Sequence, residues 1–122
     1  MFKFNCMSFY YVLCESVVCF FRFVLDYIPP SLSPNIKLME WLPQNDLLAH
    51  KDIKAFVSHT GKKSLYEAAY HGVPVVALPL FAEQHDNAKK AEQFGLGLAV
   101  NQETLDAQHL FETIERVMND PR

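Results

Sequence analysis

Residues 55–100 read AFVSHTGKKSLYEAAYHGVPVVALPLFAEQHDNAKKAEQFGLGLAV. The stretch opens on a short apolar run, Ala55–Ser58, followed by the turn His59-Thr60-Gly61. From Lys63 to His71, Leu65, Ala68 and Ala69 recur at helical spacing and predict an inner face. Gly72 stands where a C-terminal glycine cap belongs. Val73–Leu78 is apolar throughout except for Pro74. Such a run suits a strand buried on both faces of a parallel sheet. A second helix is expected over Glu83–Phe94, capped by Gly95, and a further strand over Leu96–Val100. Strands alternating with helices of about ten residues predict an α/β fold, a doubly wound parallel sheet.

The pattern extends in both directions. Downstream, Asp106–Met118 is amphipathic, with Leu110, Ile114 and Val117 on one face. Upstream, Pro43–Lys51 reads as a loop with one helical turn, in which Asn45-Asp46 cap Leu47-Leu48. Ile36–Trp41 reads as a short strand, IPPSLSPN over Ile28–Asn35 as a break, and Val17–Leu25 as a buried strand. Residues 1–16 show neither alternation nor cap signals, so an irregular segment lying apart from the sheet is expected there. The folded domain is expected over 17–122. Met7–Leu25 is close to membrane-spanning length. Glu15 and Arg22 interrupt it, and each is costly at mid-bilayer. A buried element or an irregular start therefore outweighs a spanning or signal segment.

Half of the 122 residues are apolar and 20% are charged, which excludes a disordered chain. Net charge is −3, and the basic residues gather only in pairs, Lys62-Lys63 and Lys89-Lys90. No nucleic-acid partner is expected from that pattern. Cys6, Cys14 and Cys19 are odd in number and contain no CxxC, so they predict buried thiols and not a disulfide framework or a zinc site. No histidine stands in an HExxH pattern, and no serine in GxSxG; no metal ligand and no catalytic nucleophile is assigned.

In a doubly wound sheet, ligands bind beyond the carboxyl ends of the strands. His59-Thr60-Gly61 and Glu83-Gln84 fall at two such ends. A helix N-terminus carries unpaired N–H groups and a positive dipole end. With a glycine to admit the backbone and a histidine to donate, it suits a diphosphate. A simple turn and cap would use the same residues. Trp41 can stack on a base while Gln44 offers donor and acceptor to its edge; a lone tryptophan also serves as a core anchor. Glu67 can accept from ribose hydroxyls or merely face solvent. Glu83 beside Gln84 can grip vicinal hydroxyls of a sugar, and a carboxylate there also complements the helix dipole.

In this order and spacing the signals closely resemble the animal UDP-glycosyltransferases. The run Ile36–Asn87 is similar nearly position for position, and WLPQNDLLAH, YEAAYHGVP and PLFAEQHDN carry most of the match. Looser similarity continues to Asn119–Pro121 and reaches back to Phe20–Phe23. The resemblance implies the Rossmann-like C-terminal half of a GT-B enzyme. It implies a UDP-sugar site of Trp41, Gln44, His59, Gly61, Ser64, Glu67, Glu83 and Gln84. Trp41 and Gln44 would hold the nucleoside, Glu67 the ribose, His59 with Gly61 the diphosphate, and Glu83 with Gln84 the sugar. It further implies inverting transfer to a small lipophilic acceptor, with no metal and no cofactor. The general base would be a histidine of an N-terminal acceptor domain, in an enzyme several times longer and held at the lumenal side of the endoplasmic reticulum membrane. This chain is then expected to be the donor-binding half, inactive alone; a non-catalytic UDP-sugar-binding or regulatory module is the alternative. Two positions depart from the animal pattern, which usually has glycine where Thr60 stands and asparagine where Lys63 stands.

Overall fold

In the computed structural model the backbone is described for residues 8–13, 17–21, 34, 36–39 and 43–120, and side chains for 34 and 43–120. In chain order the elements are β1 (Ser8–Leu13), β2 (Val17–Phe21), β3 (Ile36–Met39), α1 (Gln44–Leu48), β4 (Ile53–Ser58), α2 (Lys62–His71), β5 (Val75–Ala77), α3 (Glu83–Gln93), β6 (Gly97–Ala99) and α4 (Ala107–Asn119). One sheet holds all six strands in the order β3-β2-β1-β4-β5-β6. Strands β4, β5 and β6 run parallel, with Phe56 beside Val75 and Val75 beside Gly97. Strands β2 and β3 are also parallel.

The α/β layering expected from the sequence is present. One expectation fails at its N-terminal end. Ser8–Leu13 is not irregular chain lying apart from the sheet but strand β1, antiparallel to both β2 and β4. The sheet is therefore mixed. Only three residues separate β1 from β2, and so short a connection joins antiparallel neighbours. SFYYVL has no polar–apolar alternation and no cap residue, so nothing local in it marks a strand.

Period-two geometry in β4 explains the two cores. Phe56 points to one face and packs with Leu48, Ala68, Val73 and Val75, with Leu47, Ile53 and Leu65 at the margin. Ala55 and Val57 point to the other and pack with Val76, Leu78, Val100 and Val117, flanked by Leu98, Leu105, Leu110 and Ile114. Helices α1 and α2 close the first face, and α4 closes the second. Phe56 is fully buried. Burial of a side chain of that size contributes roughly 1.5–3 kcal/mol.

The helix ends follow local chemistry. Gly72 takes the left-handed φ of 68° and its N–H returns to Ala68 and Ala69 carbonyls, as a C-terminal cap requires. Asp106 caps α4 by accepting from the His109 N–H at 2.7 Å. Two details differ from expectation. Helix α1 starts at Pro43 without a side-chain cap, and Asn45 instead meets His71 Nε2 at 2.9 Å, tying α1 to α2. On α2, Ala69 is exposed and Ser64 is buried, so the inner face lies one residue round from the position that apolarity alone suggests.

Candidate functional site

The carboxyl ends of β4 and β5 open into two adjacent loops, 59–61 and 78–82, which lead into α2 and α3. Gly61 is the N-cap of α2, with φ −60° and ψ 142° and no side-chain cap bond. A Cβ built on Gly61 would lie 2.9 Å from His59 Nε2. The histidine ring is thus folded against the glycine at the helix start, where a larger residue would push it away. His59 is 8% exposed. Burial lowers its pKa below the usual histidine value, and the nearby Glu83 carboxylate opposes that shift. The ring is neutral at pH 7. It can offer a hydrogen bond to an anion at the α2 N-terminus without carrying a charge.

Thr60 is the unexpected member of the turn. It is fully buried and adopts φ 70°. That conformation favours glycine, and a β-branched residue there costs on the order of 1–3 kcal/mol. Three groups of Thr60 are engaged. Its N–H donates to Ser58 Oγ at 3.0 Å. Its carbonyl accepts from Asn87 Nδ2 at 3.0 Å. Its hydroxyl lies 2.8 Å from the Gln84 carbonyl and close to the His59 carbonyl. The turn after β4 is therefore bonded directly to the first turns of α3, where Glu83 stands exposed. The two loops are thereby held side by side.

A second cluster lies between α1 and α2. Gln44 Nε2 donates to Glu67 Oε2 at 2.6 Å and to Ser64 Oγ at 3.1 Å. The other Glu67 oxygen faces Lys63 Nζ at 4.0 Å. Gln44, Ser64 and Glu67, three of the residues expected in the UDP-sugar site, thus meet each other, and the Glu67 carboxylate is held at a fixed orientation by a charge-assisted bond. Lys63 is exposed beside the α2 start. Gln84 differs from its expected role in direction. It is buried, and its Oε1 accepts from the N–H groups of Leu80 and Phe81 at 2.8 and 3.2 Å. Its amide oxygen is taken up by the backbone of the 78–82 loop. Trp41 lies outside the described residues.

Sequence reasoning missed Thr60 and Asn87 as site-building residues. Their bonds span 24 and 27 residues, so no local sequence pattern marks them. Among the described residues no group of three His, Cys, Asp or Glu could hold a metal ion.

Comparison with known proteins matches residues 17–122 to the family described as "UDP-glucoronosyl and UDP-glucosyl transferase". The chain belongs to this UDP-glycosyltransferase family. It is 47% identical over 93 residues to UDP-glucuronosyltransferase 2B15 of Rattus norvegicus, covering 76% of this chain and 18% of that protein. It is 46% identical over the same length to the human 2-hydroxyacylsphingosine 1-beta-galactosyltransferase, 17% of which is covered. Among solved structures, the glycotransferase of kitacinnamycin superposes with TM-score 0.72 at 26% identity, over 80% of this chain and 25% of that one. Os79 from O. sativa in complex with UDP superposes with TM-score 0.64 at 33% identity, over 73% of this chain and 21% of that one. The neighbours are GT-B glycosyltransferases, consistent with a Rossmann-like layer here. The chain spans about a sixth of the length of the curated relatives it matches. Among the described residues no helix of this UDP-glycosyltransferase chain is long and apolar enough to cross a membrane.

Proposed function

We propose that this chain is the donor-binding part of a UDP-glycosyltransferase that moves a hexosyl or glucuronosyl group from a UDP-sugar to a small lipophilic acceptor. The observation that carries the reading is the direct union of two loops at the carboxyl ends of adjacent parallel strands. The His59-Thr60-Gly61 turn is hydrogen-bonded to Gln84 and Asn87 of α3. The relative solved with UDP bound supports the same ligand class. In this reading the α2 N-terminus and the neutral His59 ring hold the diphosphate. Glu67, oriented by Gln44 and Ser64, takes the ribose, with Trp41 against the base. Glu83 takes sugar hydroxyls, and the Gln84 side chain keeps the loop before it in shape.

Chemically, this arrangement binds the donor and stabilises negative charge on the departing diphosphate. Backbone N–H groups aimed at the growing charge do this without reorganisation. Proton removal from the acceptor requires a base, and we assign it to an acceptor domain outside these 122 residues. Transfer proceeds with inversion and without metal or cofactor in this proposal. The whole enzyme acts at the lumenal face of the endoplasmic reticulum membrane.

Calorimetry with UDP tests the site. The wild-type chain binds UDP, and His59→Ala loses about 1 kcal/mol, roughly fivefold in affinity. Equal heats for the two would remove His59 from the site, and no heat with the wild type would overturn the donor reading. A transfer assay of the 122-residue chain with phenolic acceptors gives no product. Turnover would show that the chain carries its own base.

A further inference from the structure

We propose that Thr60 is a positioning residue that sets the spacing between the His59-Gly61 turn and the start of α3, so that a single donor engages both. The inference rests on the donor-site reading above and deepens it, because both bonds that join the two loops there are made by Thr60. Thr60 is wholly enclosed, and so touches no ligand itself. Its φ of 70° is a conformation that glycine takes without strain. The side chain that makes the conformation costly is the one that makes the tie, because only the hydroxyl reaches the Gln84 carbonyl, at 2.8 Å. The Thr60 carbonyl meets Asn87 Nδ2, three residues further along α3 and on the same helix face. The Thr60 N–H returns to Ser58 Oγ at the end of β4. Thr60 thus staples the end of one strand to two points on the helix that follows the next.

The tie extends beyond α3. Gln84, which accepts the Thr60 hydroxyl at its backbone, holds the N–H groups of Leu80 and Phe81 with its side chain. Ala82, between them and Glu83, is itself at φ 52°. Loop 78–82 and the Glu83 carboxylate are thereby referenced to the His59 turn. Without the hydroxyl, the Asn87 bond is the one remaining tie between Thr60 and α3, and Glu83 can shift relative to His59.

Two variants of Thr60 separate spacing from stability. Thr60→Gly relieves the backbone and removes the tie; Thr60→Ser keeps a hydroxyl; thermal melts establish that both are folded. The first readout needs no ligand. The His59 ring is titrated by NMR with and without Glu83→Gln. In wild type and Thr60→Ser, removing the Glu83 charge lowers the His59 midpoint. In Thr60→Gly the same change has a much smaller effect, because the two groups are no longer held together. The second readout is calorimetry with UDP and with UDP-glucose. Thr60→Gly keeps most of its UDP affinity and loses the added affinity contributed by the sugar, roughly fivefold for one hydrogen bond. Thr60→Ser keeps both. A full Glu83→Gln effect in Thr60→Gly, or an equal loss in Thr60→Ser and Thr60→Gly, would overturn the proposal. A wild-type chain that binds no UDP would sink the donor reading alone, and the titration would still decide the role of Thr60.

Discussion

At the level of single residues, His59 is held between two opposed influences. Burial disfavours its imidazolium form, and Glu83 favours it. Burial is the larger, so the folded-state pKa lies below that of the unfolded chain. The unfolded chain then takes up a proton first as pH falls. Stability from this residue is present above the ordinary histidine pKa of about 6.5 and is lost on acidification below it. The urea midpoint is therefore expected to fall as pH drops below about 6.5. The fall is shallower in His59→Gln, which cannot titrate, and steeper in Glu83→Gln, which removes the opposing charge. Parallel profiles for the wild type and His59→Gln would count against a buried, neutral His59. This residue was legible in the sequence, because a histidine and a glycine between an apolar strand and a helix define a turn chemistry by themselves. Thr60 and Asn87 were not. Their bonds cross 24 and 27 residues and leave no local pattern. Gln84 was legible as a polar residue at a helix start, but the direction of its side chain is set by the loop it closes.

Elements were easier to read than contacts. The helices α2, α3 and α4 fall within about two residues of their expected bounds, the ordinary uncertainty of a helix end. Glycine caps and the 3.6-residue period act locally, so they survive translation from sequence to structure. Strand β5 is shorter than its apolar run because Pro74 has no N–H to give, although its carbonyl still accepts from Phe56 at 2.9 Å. Gly97 carries the closest approach in the sheet region described. A Cβ at that position would stand 1.7 Å from the Val75 carbonyl oxygen, in the ladder that joins β5 to β6. The obstacle is backbone on a buried strand, which has no rotamer by which to yield. Gly97→Ala should therefore cost about 2 kcal/mol or more by forcing β6 off its register. Denaturant unfolding measures it, with Ala99→Gly in the same strand as a reference. A loss no larger than that of the reference would show that β6 can shift freely.

For the whole molecule, the least legible feature is also the most central. Strand β1 occupies an interior position of the sheet, between β2 and β4, and pairs Tyr10 with both Cys19 and Val57. It lies before residue 17, where the family match begins. Sequence pattern could not place it, since a short continuous apolar run is equally consistent with several buried elements. The architecture makes the consequence calculable. Within the sheet, the β2–β3 pair joins the β4–β5–β6 layer through β1. Strand β4 in turn ends at Ser58, whose hydroxyl anchors the Thr60 turn. Tyr10→Pro removes an N–H from the middle of this strand and inserts a ring where the ladder allows none, so a loss of about 2 kcal/mol or more is expected. Ser8→Pro, at the first residue of the same strand, should be tolerated far better, as proline is at strand starts. The comparison holds composition nearly constant and changes only the depth of the proline in the sheet. Equal unfolding midpoints for the two variants would show that β1 does not bear on the sheet. The expected result is a large gap, accompanied by weaker UDP binding in Tyr10→Pro, because β4 then becomes an edge strand and the turn it presents loses its support.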